Sequence, residues 1–302
     1  MLANPRPESA AVPLLHAPAA FRFWHLASLD APTVAVVWAM GFAWAAGVRL
    51  PVWVPALLAL VAWAVYIGDR LMDARAALRS GQTSSLRERH LFHWRHRRIL
   101  APLAVAAACA AVWIVAAAMP TGTQERNSVL AAAALVYFVR VHSKAHLAQA
   151  LQLPTTEIPE FPLRFPAIFP AGFPIKELLV GILFTAACVL PSWFHAVAAS
   201  SSLIAPAIFF AALAWLNCHL IESWESGTVS FEFAPGLLGL AGLVLAAVLA
   251  IGQPRTAALL AAGAASALLL ALLNRLRSNL TPLALRATAD LVLLTPLVLL
   301  LR

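Results

Sequence analysis

Apolar residues run along this chain in long blocks, broken by short clusters of arginine, proline and acid. A helix that crosses a bilayer needs about 20 mainly apolar residues. No charge lies between Asp30 and Arg49 or between Arg49 and Asp69, and Leu50-Pro51 predicts a tight turn between these two blocks. Ile99 to Met119 makes a third span. The fourth, Asn127 to Val139, is short and leaves Arg140 to reach back towards the surface. Leu178 to Ile221 is uncharged and too long for one helix; it divides at Pro191-Ser192 and at Ser200 to Ser202 into spans five and six. Phe233 to Pro254 and Thr256 to Asn274 follow, separated by Gly252-Gln253-Pro254. A last block from Pro282 to Leu301 carries Arg286 and Asp290 in its first half. The pattern predicts an all-α, polytopic membrane bundle of nine transmembrane helices. An N-terminal cytoplasmic segment, 1–28, precedes a single helical domain, 29–302, with a basic cytoplasmic loop at 74–98 and a Phe-Pro-rich interfacial loop at 141–175.

Composition agrees. Of 302 residues, 62% are hydrophobic and 11% charged, against about 25% charged in a soluble domain. A soluble enzyme, a disordered chain and a disulfide-stapled secreted domain are excluded. Cys109, Cys188 and Cys218 lie in or beside apolar blocks without metal-ligand spacing. Prolines interrupt the N-terminus, which predicts no cleaved signal peptide. The net charge of +8 would suggest nucleic acid in a soluble protein. Here the arginines border apolar spans, so membrane lipid and an anionic substrate are the expected partners and nucleic acid is not. With the N-terminus placed in the cytoplasm, 17 of the 21 basic residues fall on the cytoplasmic side. That imbalance predicts an integral membrane protein with its N-terminus inside and its C-terminus outside. Scarce lysine beside abundant arginine and alanine points to a bacterial inner membrane.

Twelve of the 13 acids share that cytoplasmic side. Asp69 and Asp73 end the second span and, four residues apart, lie on one helix face. Two hard oxygen ligands at the mouth of a bundle suit Mg²⁺ that also binds substrate phosphates; the alternative is an arginine-paired helix end. The sixth span ends in Asn217-Cys218-His219-Leu220-Ile221-Glu222-Ser223-Trp224-Glu225, and the stretch to Glu232 holds three glutamates and no lysine or arginine. Such a turn needs a cation, or arginines from the first cytoplasmic loop, to neutralise it.

On these motifs the chain resembles the UbiA superfamily of intramembrane prenyltransferases. Members have nine transmembrane helices and two Asp-rich motifs that end helices two and six on the cytoplasmic side. The first motif is usually Asn-x-x-x-Asp-x-x-x-Asp; Asp69 and Asp73 match its aspartates, and Val65 stands at the asparagine position. Asn217, Glu222 and Glu225 stand where the second motif has aspartates. The resemblance implies a Mg²⁺-dependent transfer of an isoprenyl group from an isoprenyl diphosphate to a lipophilic or aromatic acceptor. Asp69 and Asp73 would be catalytic, and Glu222 and Glu225 would join them as metal ligands. Asn217, Arg70, Lys176, Arg140 and Tyr66 would bind substrate, with Tyr66, Trp63 and Trp215 sheltering an allylic cation.

The loop Arg87 to Arg98 interleaves His90, His93 and His96 with arginines. The guanidinium groups favour an anion over a bound cation, so the segment reads as a lid over diphosphate or as an interfacial segment on anionic lipid. Four Phe-Pro-x-x units from Phe161 to Pro174 forbid a regular helix and suggest an interfacial cap or a substrate gate. Arg286 and Asp290, four apart, read as a structural pair. Two other functions stay open: a catalytically inactive scaffold that binds lipid or a protein partner, and a transporter, whose intramembrane charges would line a path.

Overall fold

The computed structural model describes residues 18–79, 81, 86–151, 175–196, 200–227 and 231–301, and the side chains of 140–151 and of Ser200 lie outside that description. Among the described residues the chain is all-helical. Among these residues five helices are long and apolar enough to cross a membrane, and a sixth span results if one sharply bent pair counts as one crossing. The nine-span expectation is therefore met only in its coarser form, a helical chain with several membrane-competent helices.

The helices are α1 (Ala19–Leu26), α2 (Asp30–Ala46), α3 (Trp53–Arg79), α4 (Glu88–Arg95), α5 (Arg97–Ala118), α6 (Thr121–Leu151), α7 (Ile175–His195), α8 (Ile204–Ser226), α9 (Ala234–Leu249), α10 (Pro254–Leu276), α11 (Pro282–Leu291) and α12 (Leu297–Leu300). Three sequence expectations change. The fourth block is the core of a 31-residue helix, because the polar residues flanking it continue the helix. Pro191 lies inside α7, and the break comes after His195. The last block is interrupted by a 3₁₀ turn at Val292–Leu294. Within the N-terminal segment, His25 and Leu26 of α1 are buried.

Helix α2 occupies the centre and is buried along most of its length. Trp38 stacks on Phe210 of α8 with ring centroids 3.8 Å apart. Its indole N–H donates to the Leu293 carbonyl at 2.9 Å, tying the core to the broken last block. Gly47, in the left-handed region at φ 68°, stops α2 and permits the turn at Pro51. Helices α7 and α8 pack backbone to backbone at Gly181, where a methyl group would sit 2.8 Å from the Trp215 nitrogen. The outer helices show the opposite burial. The most apolar windows of α3 and α5 are only 11% buried, and Leu240, Val244 and Val248 of α9 face outward. An apolar exterior around a packed interior suits a lipid solvent, where apolar side chains carry no penalty for facing out.

Candidate functional site

Helices α1 and α2 meet at an angle of 88°. Ser28 makes the corner with φ 54°, an uncommon backbone state for a residue other than glycine. The bend turns α1 across the end of the bundle, where it meets α4 and α11. All the polar groups of interest gather at this end.

Asp69 and Asp73 lie on the last turns of α3, with side chains 34% and 48% exposed. Arg70 is largely buried; its guanidinium is 3.6 Å from Asp69 and lies over the Tyr66 ring at 5.6 Å. His90 Nε2 is 3.9 Å from Asp73. Across from α3, the end of α8 presents Glu222 and Glu225. Arg87 lies 4.0 Å from Glu222, pairs closely with Glu225 and feels the charges of Asp73 and Arg70. The acidic ends of α3 and α8 are thus both reached from the start of α4, by His90 and by Arg87.

Glu225 is paired with three guanidinium groups. Arg87 and Arg286 contact it closely and Arg89 donates to it at 3.2 Å. Arg286 therefore pairs with α8, and the expected Arg286–Asp290 pair is not among the ion pairs of the described residues. Asp290 turns the other way. Asn217 Nδ2 donates to Asp290 Oδ1 at 3.1 Å, and His25 Nδ1 lies 3.6 Å from Asp290 Oδ2 and 2.7 Å from Asp30 Oδ2. Asn217 is thus turned towards a neighbouring carboxylate. Tyr66 is half-buried and within electrostatic range of Asp30, Asp290 and Cys218. Lys176 begins α7 as an exposed residue within range of Cys218. Arg140 lies on α6, but its side chain is outside the described residues, as are residues 152–174 with the Phe-Pro repeat. Trp63 donates its indole N–H to the Ala27 carbonyl at 2.9 Å, which fixes its ring beside the α1–α2 corner.

The histidines of α4 hold that helix down. His93 is fully buried; its Nδ1 lies 2.7 Å from the Arg89 carbonyl and its Nε2 3.2 Å from Ser28 Oγ. A carbonyl cannot donate, so Nδ1 carries the proton and a neutral ring takes the Ser28 hydroxyl at Nε2. Burial, and then the charge of Arg70, pushes both His90 and His93 down to about 4. Burial likewise lowers Arg87, against the raising effect of Glu222.

Beyond Glu225 a cleft of about 990 Å³ opens between α1, α4, α8 and α11, lined by Arg22, Arg89, Arg277 and Arg286 and reaching His25. The sequence reading singled out neither His25 nor Asp30. Asp30 sits at the head of an apolar block and His25 in the N-terminal segment, and only the bend at Ser28 brings them together. No family model, curated protein or solved structure matches the chain.

Proposed function

We propose that this chain is an intramembrane prenyltransferase of UbiA-like architecture, moving an isoprenyl group from an isoprenyl diphosphate to a lipophilic or aromatic acceptor. The observation that carries this reading is that the start of α4 reaches both acidic helix ends, Arg87 lying 4.0 Å from Glu222 of α8 and His90 3.9 Å from Asp73 of α3. Two acidic helix ends beside a guanidinium make a place for a diphosphate and its counterion. In this reading α1–α2, α6, α9 and α11–α12 complete nine crossings of a bacterial inner membrane, with the N-terminus inside and the C-terminus outside.

The first motif fits Mg²⁺: Asp69 and Asp73 are partly exposed carboxylates on one helix face. The second does not fit in full, because three guanidinium groups occupy Glu225. Glu222, exposed on the same turn, is the remaining candidate there. Mg²⁺ held by Asp69 and Asp73 would supply neutralisation of the charge that develops on the leaving diphosphate. Arg70, Arg87 and Lys176 take the phosphate oxygens, and the chain lies against apolar helix faces. The allylic C–O bond breaks and its electron pair leaves on the diphosphate. Aromatic faces, Tyr66 first, shelter the cation until the acceptor's nucleophilic atom bonds to the same carbon and loses its proton.

The test is diphosphate release and acceptor prenylation by the detergent-solubilised chain, over a series of isoprenyl diphosphates with and without Mg²⁺. Transfer that needs Mg²⁺ and disappears in Asp69→Asn and in Asp73→Asn supports the assignment; undiminished transfer in both sinks it. One observation favours a second reading, the non-catalytic scaffold. The clamp on Glu225 ties α4, α8 and α11 together as a structural ion cluster would.

A further inference from the structure

Asp30 and Asp290 come from helices far apart in sequence and meet at the inner end of α1. Each has one carboxylate oxygen already engaged. Asp30 Oδ1 accepts the Ala31 backbone N–H at 2.9 Å, and Asp290 Oδ1 accepts the Asn217 amide at 3.1 Å. The two remaining oxygens, both Oδ2, converge on His25 Nδ1 at 2.7 and 3.6 Å. These three atoms lie within 4.8 Å of one another. Tethering one oxygen of a carboxylate so that the other is aimed is how second-shell contacts orient metal ligands.

Two further features separate this arrangement from an ordinary ion pair. His25 Nδ1 is buried and, despite its short approach to Asp30, makes no aligned hydrogen bond. Asn217, only 4% exposed, directs its Nδ2 at Asp290 while its Oδ1 is buried with no hydrogen-bond partner. Charge points the same way. Arg286 sends a field to Asp290, but its guanidinium contacts Glu225. Two buried carboxylates therefore face an imidazole, an amide and each other, and among the described residues no guanidinium contacts either of them.

We propose that His25, Asp30 and Asp290, with Asn217 beside them, bind a first-row divalent cation, for which Zn²⁺ is the best match. One imidazole nitrogen and two carboxylate oxygens make a mixed donor set; the imidazole disfavours Mg²⁺ and Ca²⁺, and three protein ligands leave a position for water. The ion would tie α1, α2 and α11 together, with α8 held through Asn217. This site is separate from the Mg²⁺ proposed at Asp69 and Asp73 and stands without it.

The test uses the full chain in detergent, stripped with a chelator and titrated with Co²⁺, whose visible absorption reports its ligands. Titration in an Asp69→Asn/Asp73→Asn/Glu222→Gln background removes the carboxylates proposed for Mg²⁺ from the count. The expected result is one Co²⁺ per chain, displaced by Zn²⁺, with a Zn²⁺-dependent rise in Tm. Asp290→Asn and His25→Gln should abolish binding, and Asn217→Ala should weaken it about 10- to 100-fold. Binding of less than about a tenth of an equivalent overturns the proposal, and so does binding that survives both ligand substitutions. Should the ligand variants fail to fold, the stoichiometry in the Asp69→Asn/Asp73→Asn/Glu222→Gln chain decides alone. A Tm indifferent to Zn²⁺ would identify a proton-sharing His–Asp–Asp group and also overturns it. Prenyl transfer can fail while this site holds its ion, so the two outcomes are separable.

Discussion

Arg286 pairs with Glu225 of α8 and leaves Asp290, one turn along its own helix, to His25 and Asn217. This choice of partner divides the polar end of the bundle into two groups. One is a cationic group, Arg87, Arg89 and Arg286 around a single glutamate; the other is an acidic group, Asp30 and Asp290 around a single histidine.

The cationic group gives the first prediction. Removing Glu225 leaves three guanidinium groups close together, two of them with side chains no more than 15% exposed. Glu225→Ala should cost on the order of 3 kcal/mol, because uncompensated buried charge is far more costly than a lost surface pair. Glu222→Gln, on an exposed side chain, should stay within about 0.5 kcal/mol of wild type. Thermal unfolding of both variants in the same detergent checks the contrast. Equal losses would contradict the clamp.

Acid should release α4. His90 and His93 are held at about 4, below their ordinary 6.5, first by burial and then by the charge of Arg70. Between those values the undocked segment binds more protons than the docked one, so docking weakens as pH falls. Docking is fully present above about 6.5 and is lost on the way to 4. Hydrogen exchange over residues 88–95, corrected for intrinsic pH dependence, should show constant protection from pH 8 to 6.5 and progressive loss below. Flat protection down to pH 4 would show that these imidazoles do not anchor the helix.

Gly181→Ala should separate α7 from α8. The added methyl group would lie 2.8 Å from the Trp215 nitrogen and 3.1 Å from the Ala211 carbonyl, both backbone atoms that cannot rotate away. A loss of about 1–3 kcal/mol is expected. Because Trp215 is two residues from Asn217, the same substitution should also weaken Co²⁺ binding at the His25 site. Wild-type Tm and unchanged Co²⁺ affinity would refute the close approach.

Arg87→Ala tests the diphosphate role directly. If this guanidinium binds diphosphate beside the two acidic helix ends, KM for the isoprenyl diphosphate should rise at least about tenfold, since charge-assisted contacts to an anion contribute about 1.5–3 kcal/mol each. Arg87→Lys should recover part of that loss, keeping the charge without the bidentate fork. Unchanged KM in Arg87→Ala would assign Arg87 to Glu225 alone.

Much of this was legible in one dimension. Apolar blocks of bilayer length announce helices whatever their neighbours, because the backbone in lipid must satisfy its own hydrogen bonds. The gathering of acids and arginines at the block ends was equally plain, and Asp69 and Asp73 needed only helical spacing to share a face. The acidic turn after Asn217 posed the right alternative, a cation or arginines from the first loop. For Glu225 the answer is Arg87 and Arg89 of that loop, joined by Arg286 from α11.

The structure decided the partners. An i, i+4 spacing allows Arg286 to meet Asp290, but α8 brings Glu225 closer, and spacing along one helix carries no information about its neighbours. His25 and Asp30 are five residues apart, yet only the left-handed turn at Ser28 folds α1 back so that Nδ1 reaches Oδ2. By itself the sequence determined that this is a helical chain suited to lipid, with its polar chemistry gathered at helix ends, because hydrophobicity and helical period are local properties. Which acid meets which base was left to the tertiary structure, because charge pairing depends on distances between helices that no local pattern encodes.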